Sequence, residues 1–334
     1  MRKLLAWVIV LGLLAGAAVG AYYIQTPAGP TVETFVVIPS GIGARGVASL
    51  LERRGIIWNK YAFLAWRVFK RGTLKAGEYR FDHPVPLPEV YARILRGDVY
   101  TITLTVPEGY NIFDVARAVE DAKLRPATEF LAGERKNVDL VAALDPKATT
   151  LEGYLFPDTY KFPRSASVRD MQAVMVRRFR QKAQALGITG NGSSGNFHEV
   201  VTMASLVEKE TGAANERGLV ASVFANRLRR NIPLATDPSV IYGLMLAGRY
   251  RGTIYASDLK LESPYNTYIH AGLPPGPICN PGVAALTAAL QPPVTEYLYF
   301  VSDNAGHSRF ARTLEEHERN VADYRRRVEQ AGGR

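Results

Sequence analysis

The polar pattern changes most sharply at the start of the chain. Arg2 and Lys3 precede an uncharged run from Leu4 to about Ile24, which includes Val8, Ile9, Val10, Leu11, Leu13, Leu14 and Val19. About 20 apolar residues at ~1.5 Å rise each are enough to cross a bilayer core. The positive pair before the run predicts a short cytoplasmic tail at 1–4, a transmembrane helix at 5–24 and everything later outside. Ala15 to Ala18 are small enough for a signal peptidase. The apolar run continues past them to Tyr22 and Tyr23, however, so the expectation is a retained anchor and not a cleaved signal. Residues 25–32 are a polar, Pro- and Gly-containing break and read as a linker.

Beyond it the pattern repeats. Phe35 to Ile38 reads as a strand, Pro39-Ser40-Gly41 as a turn, and Gly46-Val47-Ala48-Ser49-Leu50-Leu51 as a helix start. Ile102 to Val106, Pro107-Glu108-Gly109 and Asp114 to Val119 read as the same three pieces. Pro39, Gly41, Val47 and Ala48 fall in register with Pro107, Gly109, Val115 and Ala116. This predicts a duplicated strand–turn–helix unit. Between the copies, Lys75 to Phe81 reads as a strand and Pro88 to Leu95 as a helix that ends at Gly97. Residues 33–100 therefore form a small α+β module.

The remainder, 101–330, reads as a larger mixed domain. Helices are expected over 167–186, 197–211 and 216–230, and another opening at Asp237-Pro238-Ser239 with Asp237 as its cap. Gly187 to Asn196 is a flexible loop by composition. Gly272 to Pro277 holds too much proline for helix or central strand and reads as a rigid loop. Tyr297 to Val301 reads as a buried strand and Arg309 to Gln330 as a charged terminal helix. The fold class is α+β: one N-terminal transmembrane helix, a small module and a larger helical/β domain.

Composition narrows the functional classes. With 47% hydrophobic and 22% charged residues the chain can bury a core. The net charge of +10 admits a polyanionic partner. The basic residues are scattered, as in Arg177, Arg178, Arg180 and Arg325 to Arg327, without the basic–aromatic pattern of a nucleic-acid module, so no nucleic acid is expected. Cys279 is the sole cysteine, so neither a disulfide framework nor a thiolate metal site is available. His83, His198, His270, His307 and His317 form no H-x-x-x-H pattern; His198-Glu199 opens like a zinc-protease motif, but Thr202 stands where the second histidine belongs. No phosphate loop, dinucleotide fingerprint, nucleophile elbow or lysine in a cofactor context is present. No metal and no cofactor are expected.

Carboxylates remain. Glu208 and Glu210 end an apolar helical segment whose buried stripe is Val200, Ala204 and Val207. At about 100° per residue the two glutamates lie about 200° apart, one on each side of the stripe. They cannot converge on one substrate atom. Spacing does not say which is catalytic, and both would pass as solvated helix-end charges.

Longer stretches carry a resemblance. Leu151 to Tyr160, Thr202 to Thr211, Val220 to Leu228, Thr236 to Gly243, Tyr265 to Tyr268, Gly272 to Ile278, Asn280 to Gly282 and Tyr297 to Val301, in that order, are similar to the YceG/MltG family of endolytic murein transglycosylases. The resemblance implies a lyase that cleaves the bond between N-acetylmuramic acid and N-acetylglucosamine within nascent peptidoglycan strands. It would leave 1,6-anhydro ends, limit strand length and use Glu210 as its catalytic acid. It also implies that 33–100 is a LysM-like module, that 101–330 is the catalytic domain, and that the partners are glycan strands and cell-wall synthases. The expected location is the bacterial cytoplasmic membrane, single-pass, with the catalytic domain outside. A non-catalytic glycan-binding scaffold of the synthesis machinery is the alternative.

Other candidate ligands follow from residue type. Glu152 would orient the sugar or Glu210, or pair with an arginine. Asp237 and Ser239 would bind substrate or start a helix. Asn226 and Asn266 would donate to sugar groups or make helix-to-loop bonds. Tyr265, with Tyr242 and Tyr268, would stack on sugar faces or fill the core.

Overall fold

The computed structural model describes residues 2–188, 197–213, 215–303 and 307–332. The chain divides into two compact units, Met1–Ile102 with Lys161–Ser165 and Thr103–Tyr160 with Ala166–Arg334.

The first unit begins with helix α1 (Arg2–Gln25), a stretch long and apolar enough to cross a membrane. Its side chains from Leu4 to Val19 are exposed, so the protein supplies no core for them. Strand β1 (Thr34–Ile38) pairs antiparallel with β2 (Gly77–Phe81), Val36 opposite Tyr79, and helices α2 (Ala44–Arg53) and α3 (Lys60–Phe69) lie between them in sequence. Helix α4 (Leu87–Arg96) stops at Gly97, whose φ of 79° is the left-handed conformation glycine accepts without strain. Val36, Val47, Leu51, Phe63, Tyr79 and Tyr91 are among the side chains that fill this unit's core. Asn59 starts α3 by accepting the amides of Tyr61 and Ala62 at 2.7 and 3.2 Å. Residues 25–32, expected as a linker, are tied down: Ala28 and Val85 exchange two backbone hydrogen bonds of 3.0 and 2.9 Å.

The second unit starts at β3 (Ile102–Thr105) and α5 (Ile112–Asp121), followed by α6 (Ala127–Lys136) and β4 (Thr159–Phe162), which pairs with β3. Helix α7 (Val168–Ala185) opens on a reciprocal Ser167–Asp170 capping box. Helices α8 (Phe197–Glu210), α9 (Arg217–Arg229), α10 (Asp237–Leu246) and α11 (Val283–Leu290) follow. Strands β5 (Tyr299–Ser302) and β6 (Ser308–Ala311) form an antiparallel hairpin, and α12 (Leu314–Gly332) ends the fold. Helix α8 packs against α9, α10 and α11 and is buried continuously from Val200 to Val207. Its two ends emerge, at His198 and Glu199 and again from Glu208 to Glu210.

The expected duplication is present. β1–turn–α2 and β3–turn–α5 have turn glycines of matching conformation, Gly41 at φ 80° and Gly109 at φ 78°, and each helix buries the same three positions, Val47, Ala48 and Leu51 in α2 and Val115, Ala116 and Val119 in α5.

Several expectations need correction. Residues 309–311, expected as the start of the terminal helix, belong to strand β6, because Phe310 pairs with Phe300 across the hairpin and tertiary pairing overrides local helix preference. Tyr299 to Val301 are only partly buried. The cap of α10 is Thr236; Asp237 is already helical and its carboxylate is used elsewhere. Helices α3, α6 and α11 were not anticipated. Most of the loop expected at 187–196 lies outside the described residues.

Candidate active site

The end of α8 separates the two glutamates as helical geometry requires. Glu208 turns inward. Its carboxylate meets the Arg217 guanidinium at 3.0 Å and accepts the Gly282 amide at 2.9 Å, with 4% of its side chain exposed. It is a structural anion that fastens α8 to α9 and to the start of α11. Glu210 turns the other way, into a cleft of about 560 Å³. Among the described residues it makes no hydrogen bond or ion pair. Burial pushes its carboxyl up to about 7, the Asp237 carboxylate adds to the rise, and Arg227 pulls against it. Near neutral pH this group is available both as acid and as base.

The cleft wall is built around that carboxyl. Arg227 of α9 is fixed by its own donors, Nε to the Leu298 carbonyl at 2.6 Å and Nη1 to the Leu234 carbonyl at 2.9 Å. Its guanidinium lies over the Tyr299 ring, 5.1 Å from the centroid. Asp237, at the start of α10, accepts the Tyr268 hydroxyl at 2.6 Å. His317 of α12 stacks on Tyr299 at 5.1 Å, and burial together with Arg227 holds its imidazole below the usual value, hence neutral.

Two polar atoms of this wall are unfilled. Among the described residues Thr236 Oγ1 and His317 Nδ1 are buried without a hydrogen-bond partner, and both residues line the cleft. Buried polar groups in native proteins are nearly always paired, so such atoms call for a specific explanation. The backbone before Thr236 is strained, Ala235 having φ 50°. Thr267 holds it there, its carbonyl accepting the Ala235 amide at 2.9 Å and its hydroxyl accepting the Thr236 amide at 3.0 Å.

Of the sequence candidates, Glu210 and Asp237 share this cleft. Tyr268, which holds Asp237, lines it as well, and the other candidates do not. Glu152 is sealed inside the fold, where it accepts the Ile112 amide at 2.9 Å at the start of α5 and, among the described residues, pairs with no arginine. Burial pushes its carboxyl up to about 8 against the opposing pull of the Ile112 amide and the Tyr242 hydroxyl. Asn226 is buried and donates to the Thr295 and Tyr297 carbonyls at 2.9 and 2.8 Å. Ser239 is buried against Thr236 and Thr267. Asn266 ties its own loop together by donating to the Leu259 and Leu261 carbonyls at 3.0 and 2.9 Å. Tyr265 packs on Tyr242 with ring centroids 5.0 Å apart, and burial pushes its hydroxyl up to about 12. These side chains are structural. Arg227, Thr236, Tyr299 and His317 were missed as site residues. The first three lie inside the stretches that carry the family resemblance; His317 carries no motif and reaches the cleft only through the packing of α12. Among the described residues no group of three or more His, Cys, Asp or Glu side chains is placed to hold a metal ion.

A half-buried carboxyl of raised pKa, beside a fixed cation and an aromatic wall, lines a cleft open to a polar ligand, an arrangement with the chemistry of a general acid. The model of the YceG-like family matches residues 36–323, and this chain belongs to that family. The endolytic murein transglycosylase of Bacillus subtilis (strain 168) is 32% identical over 303 residues, covering 86% of this chain and 83% of the relative. That of Streptococcus pneumoniae (strain D39) is 28% identical over 355 residues; the match covers 96% of this chain and 64% of the relative, so this chain spans less than two thirds of the pneumococcal protein. A yceG-like protein of Listeria monocytogenes, solved by crystallography at 2.6 Å, is 30% identical with a TM-score of 0.56, over 87% of this chain and 99% of that one.

Proposed function

We propose that this chain is a membrane-anchored endolytic murein transglycosylase with Glu210 as its single acid–base catalyst. The observation that carries the assignment is the contrast at the end of α8: Glu208 is consumed by Arg217, while Glu210 faces the cleft unpartnered with its carboxyl raised to about 7. The activity named for the Bacillus and Streptococcus relatives supports the same reading.

The chemistry asks for one such group. Protonated Glu210 donates its proton to the oxygen linking N-acetylmuramic acid to N-acetylglucosamine, and the bond from that oxygen to the muramoyl anomeric carbon breaks. The C6 hydroxyl of the same muramoyl residue attacks the anomeric carbon. Glu210, now a carboxylate, takes the hydroxyl proton. The products are a 1,6-anhydromuramoyl end and a free hydroxyl on the leaving sugar, with no water consumed. Because nucleophile and electrophile share one sugar ring, much of the entropic cost is removed in advance. Arg227, held at a fixed place near the carboxyl, favours its ionised form after the first transfer. Thr236 and His317 supply unfilled polar contacts for the sugar's hydroxyl and N-acetyl groups.

The same reading makes α1 a single membrane span with the N-terminus inside, 33–100 a LysM-like module, and 101–330 the catalytic domain. The unburied apolar surface of α1 supports the first point. The separate core of the β1–α2–α3–β2 unit supports the second.

The test is product analysis by mass spectrometry after the full chain is incubated with uncrosslinked glycan strands. Internal 1,6-anhydro ends are expected from the wild type and not from Glu210→Gln. Reducing ends in their place would mean hydrolysis by an activated water. Strand binding without any new ends would favour the scaffold reading.

A further inference from the structure

Helix α3 has two apolar sides, and the first unit uses only one. Ala62 and Phe63 are buried, and Leu64 and Trp66 pack partly against the same core. On the other side Tyr61, Ala65, Val68 and Phe69 follow the i, i+4, i+7, i+8 spacing of a single stripe. That stripe is open to solvent: Tyr61 is 68% exposed, Val68 67% and Phe69 80%. Trp58, just before the helix, is 55% exposed. Lys60, Arg67, Lys70 and Arg71 flank the stripe and the turn after it, and among the described residues only Lys60 of these four is ion-paired, with Glu52 at 3.8 Å.

The position of this stripe identifies its occupant. α3 packs against α1, and Tyr23 and Ile24 at the end of α1 rest on the same core as α3's buried side. The Trp58 indole donates to the Pro27 carbonyl at 3.0 Å, two residues beyond α1. Tyr22 and Tyr23, in edge contact at 5.6 Å, mark the interfacial end of the span. An apolar stripe with basic flanks, starting at that level, has the composition of a helix that lies in a bilayer surface. A solvated module would have little use for an exposed Phe–Val–Tyr row.

We propose that the outer face of α3 docks on the anionic headgroup surface of the membrane that α1 crosses, so that the small unit is held at the bilayer by two contacts. This rests on the reading of α1 as a span. Docking would limit the tilt of the small unit about the end of α1 and thereby fix the height at which the chain emerges.

The test uses the full chain in nanodiscs, spin-labelled at Val68→Cys, at His83→Cys as a solvent control on the same unit, and at Val10→Cys in α1. Cys279 is buried and leaves the background unlabelled. With phosphatidylglycerol discs, the ratio of oxygen to water-soluble nickel accessibility at position 68 should exceed that at position 83 several-fold. It should fall several-fold with Arg67→Glu/Arg71→Glu or in neutral-lipid discs. If the label at 68 is as nickel-accessible as the label at 83 while the label at 10 lies in lipid, docking is wrong and the span stands. If the label at 10 lies in water, the span reading fails, and the ratio at 68 still decides docking by itself. Immobilisation of a water-exposed 68 label by added soluble glycan strands, or label-to-label coupling between two copies, would overturn the lipid assignment in favour of that partner.

Discussion

Two regions of the second unit hold carboxyls pushed upward by burial, and they differ in every other respect. Glu152 sits beneath the start of α5, sealed, with its oxygens taken by the Ile112 amide and, at 3.4 Å, the Asn280 side chain. Glu134 is pushed up by its own burial and then by the Glu152 carboxyl, and Gln172 donates to it at 3.2 Å. Glu210 is raised less, to about 7, opens onto a cleft and among the described residues has no hydrogen-bond or ion-pair partner. A raised pKa thus accompanies two opposite uses of a carboxyl. In the sealed region the neutral acid is a building element that satisfies a helix N-terminus. In the open region the same physical cause keeps a proton ready where a ligand can reach it. On the proposed assignment of Glu210, access and unmade bonds, more than the pKa, separate catalyst from scaffold.

The largest effect that tests this contrast is on rate. Glu210→Gln should lower kcat by about 10²- to 10⁴-fold, the usual contribution of a positioned general acid, as measured by release of anhydro-ended fragments. Melting temperature at neutral pH should not fall. The next effect is on stability. Glu152→Ala leaves the Ile112 amide and the Asn280 side chain without their buried acceptor and should cost about 2–4 kcal/mol in denaturant unfolding. Glu152→Gln, which keeps one acceptor oxygen, should recover much of that and retain turnover per folded molecule. Loss of turnover in Glu152→Gln without loss of stability would place Glu152 in the catalytic machinery and collapse the distinction.

A smaller effect concerns pH. The Glu210 carboxyl binds its proton more tightly in the fold, at about 7, than in the unfolded chain, at 4.5. Between those values the native state holds more protons, so stability falls as pH rises through this window. Removing the carboxyl removes the penalty. Glu210→Gln should therefore be more stable than wild type by about 1–3 kcal/mol at pH 8 and no more stable at pH 4, within the scale of ~1.4 kcal/mol per pKa unit. An equal gain at both pH values would mean that the gain comes from packing.

How much of this was legible depends on which forces set each element. The duplicated strand–turn–helix unit was readable because it is local: Gly41 and Gly109 mark the turns, and the buried stripes have helical period. The separation of Glu208 from Glu210 was readable for the same reason. Their division of labour was not, since it depends on Arg217 from the next helix and the Gly282 amide from a loop far along the chain. Asn226, Ser239 and Asn266 were expected at the substrate because their amides and hydroxyls suit a sugar. Inside the fold those same groups satisfy loop carbonyls, and residue type alone does not distinguish the two uses. Residues 309–311 read as helix because their pairing with β5 is a tertiary feature that no local pattern announces. His317 was invisible for a similar reason: nothing local indicates that α12 carries it over Tyr299.

The smallest predicted effect tests the open site most directly. The Asp237 carboxylate raises the Glu210 carboxyl, second only to burial, and is itself held by the Tyr268 hydroxyl. Asp237→Asn removes that charge while keeping most of the shape, so Glu210 should lose its proton at lower pH. On the alkaline side the rate follows the fraction of Glu210 that is protonated. A downward move of about half a unit, a modest share of what a nearby like charge produces, therefore lowers the rate above pH 8 by about threefold and leaves the rate below pH 6 nearly unchanged. The measurement is the position of the alkaline limb of kcat/KM, which reports the free enzyme, and not the height of the plateau, which would also reflect any contact between Asp237 and the sugar. A limb that stays fixed in Asp237→Asn but vanishes in Glu210→Gln would leave burial alone responsible for the raised carboxyl. A limb that stays fixed in both would show that another group sets it, and the single-acid mechanism would have to be abandoned.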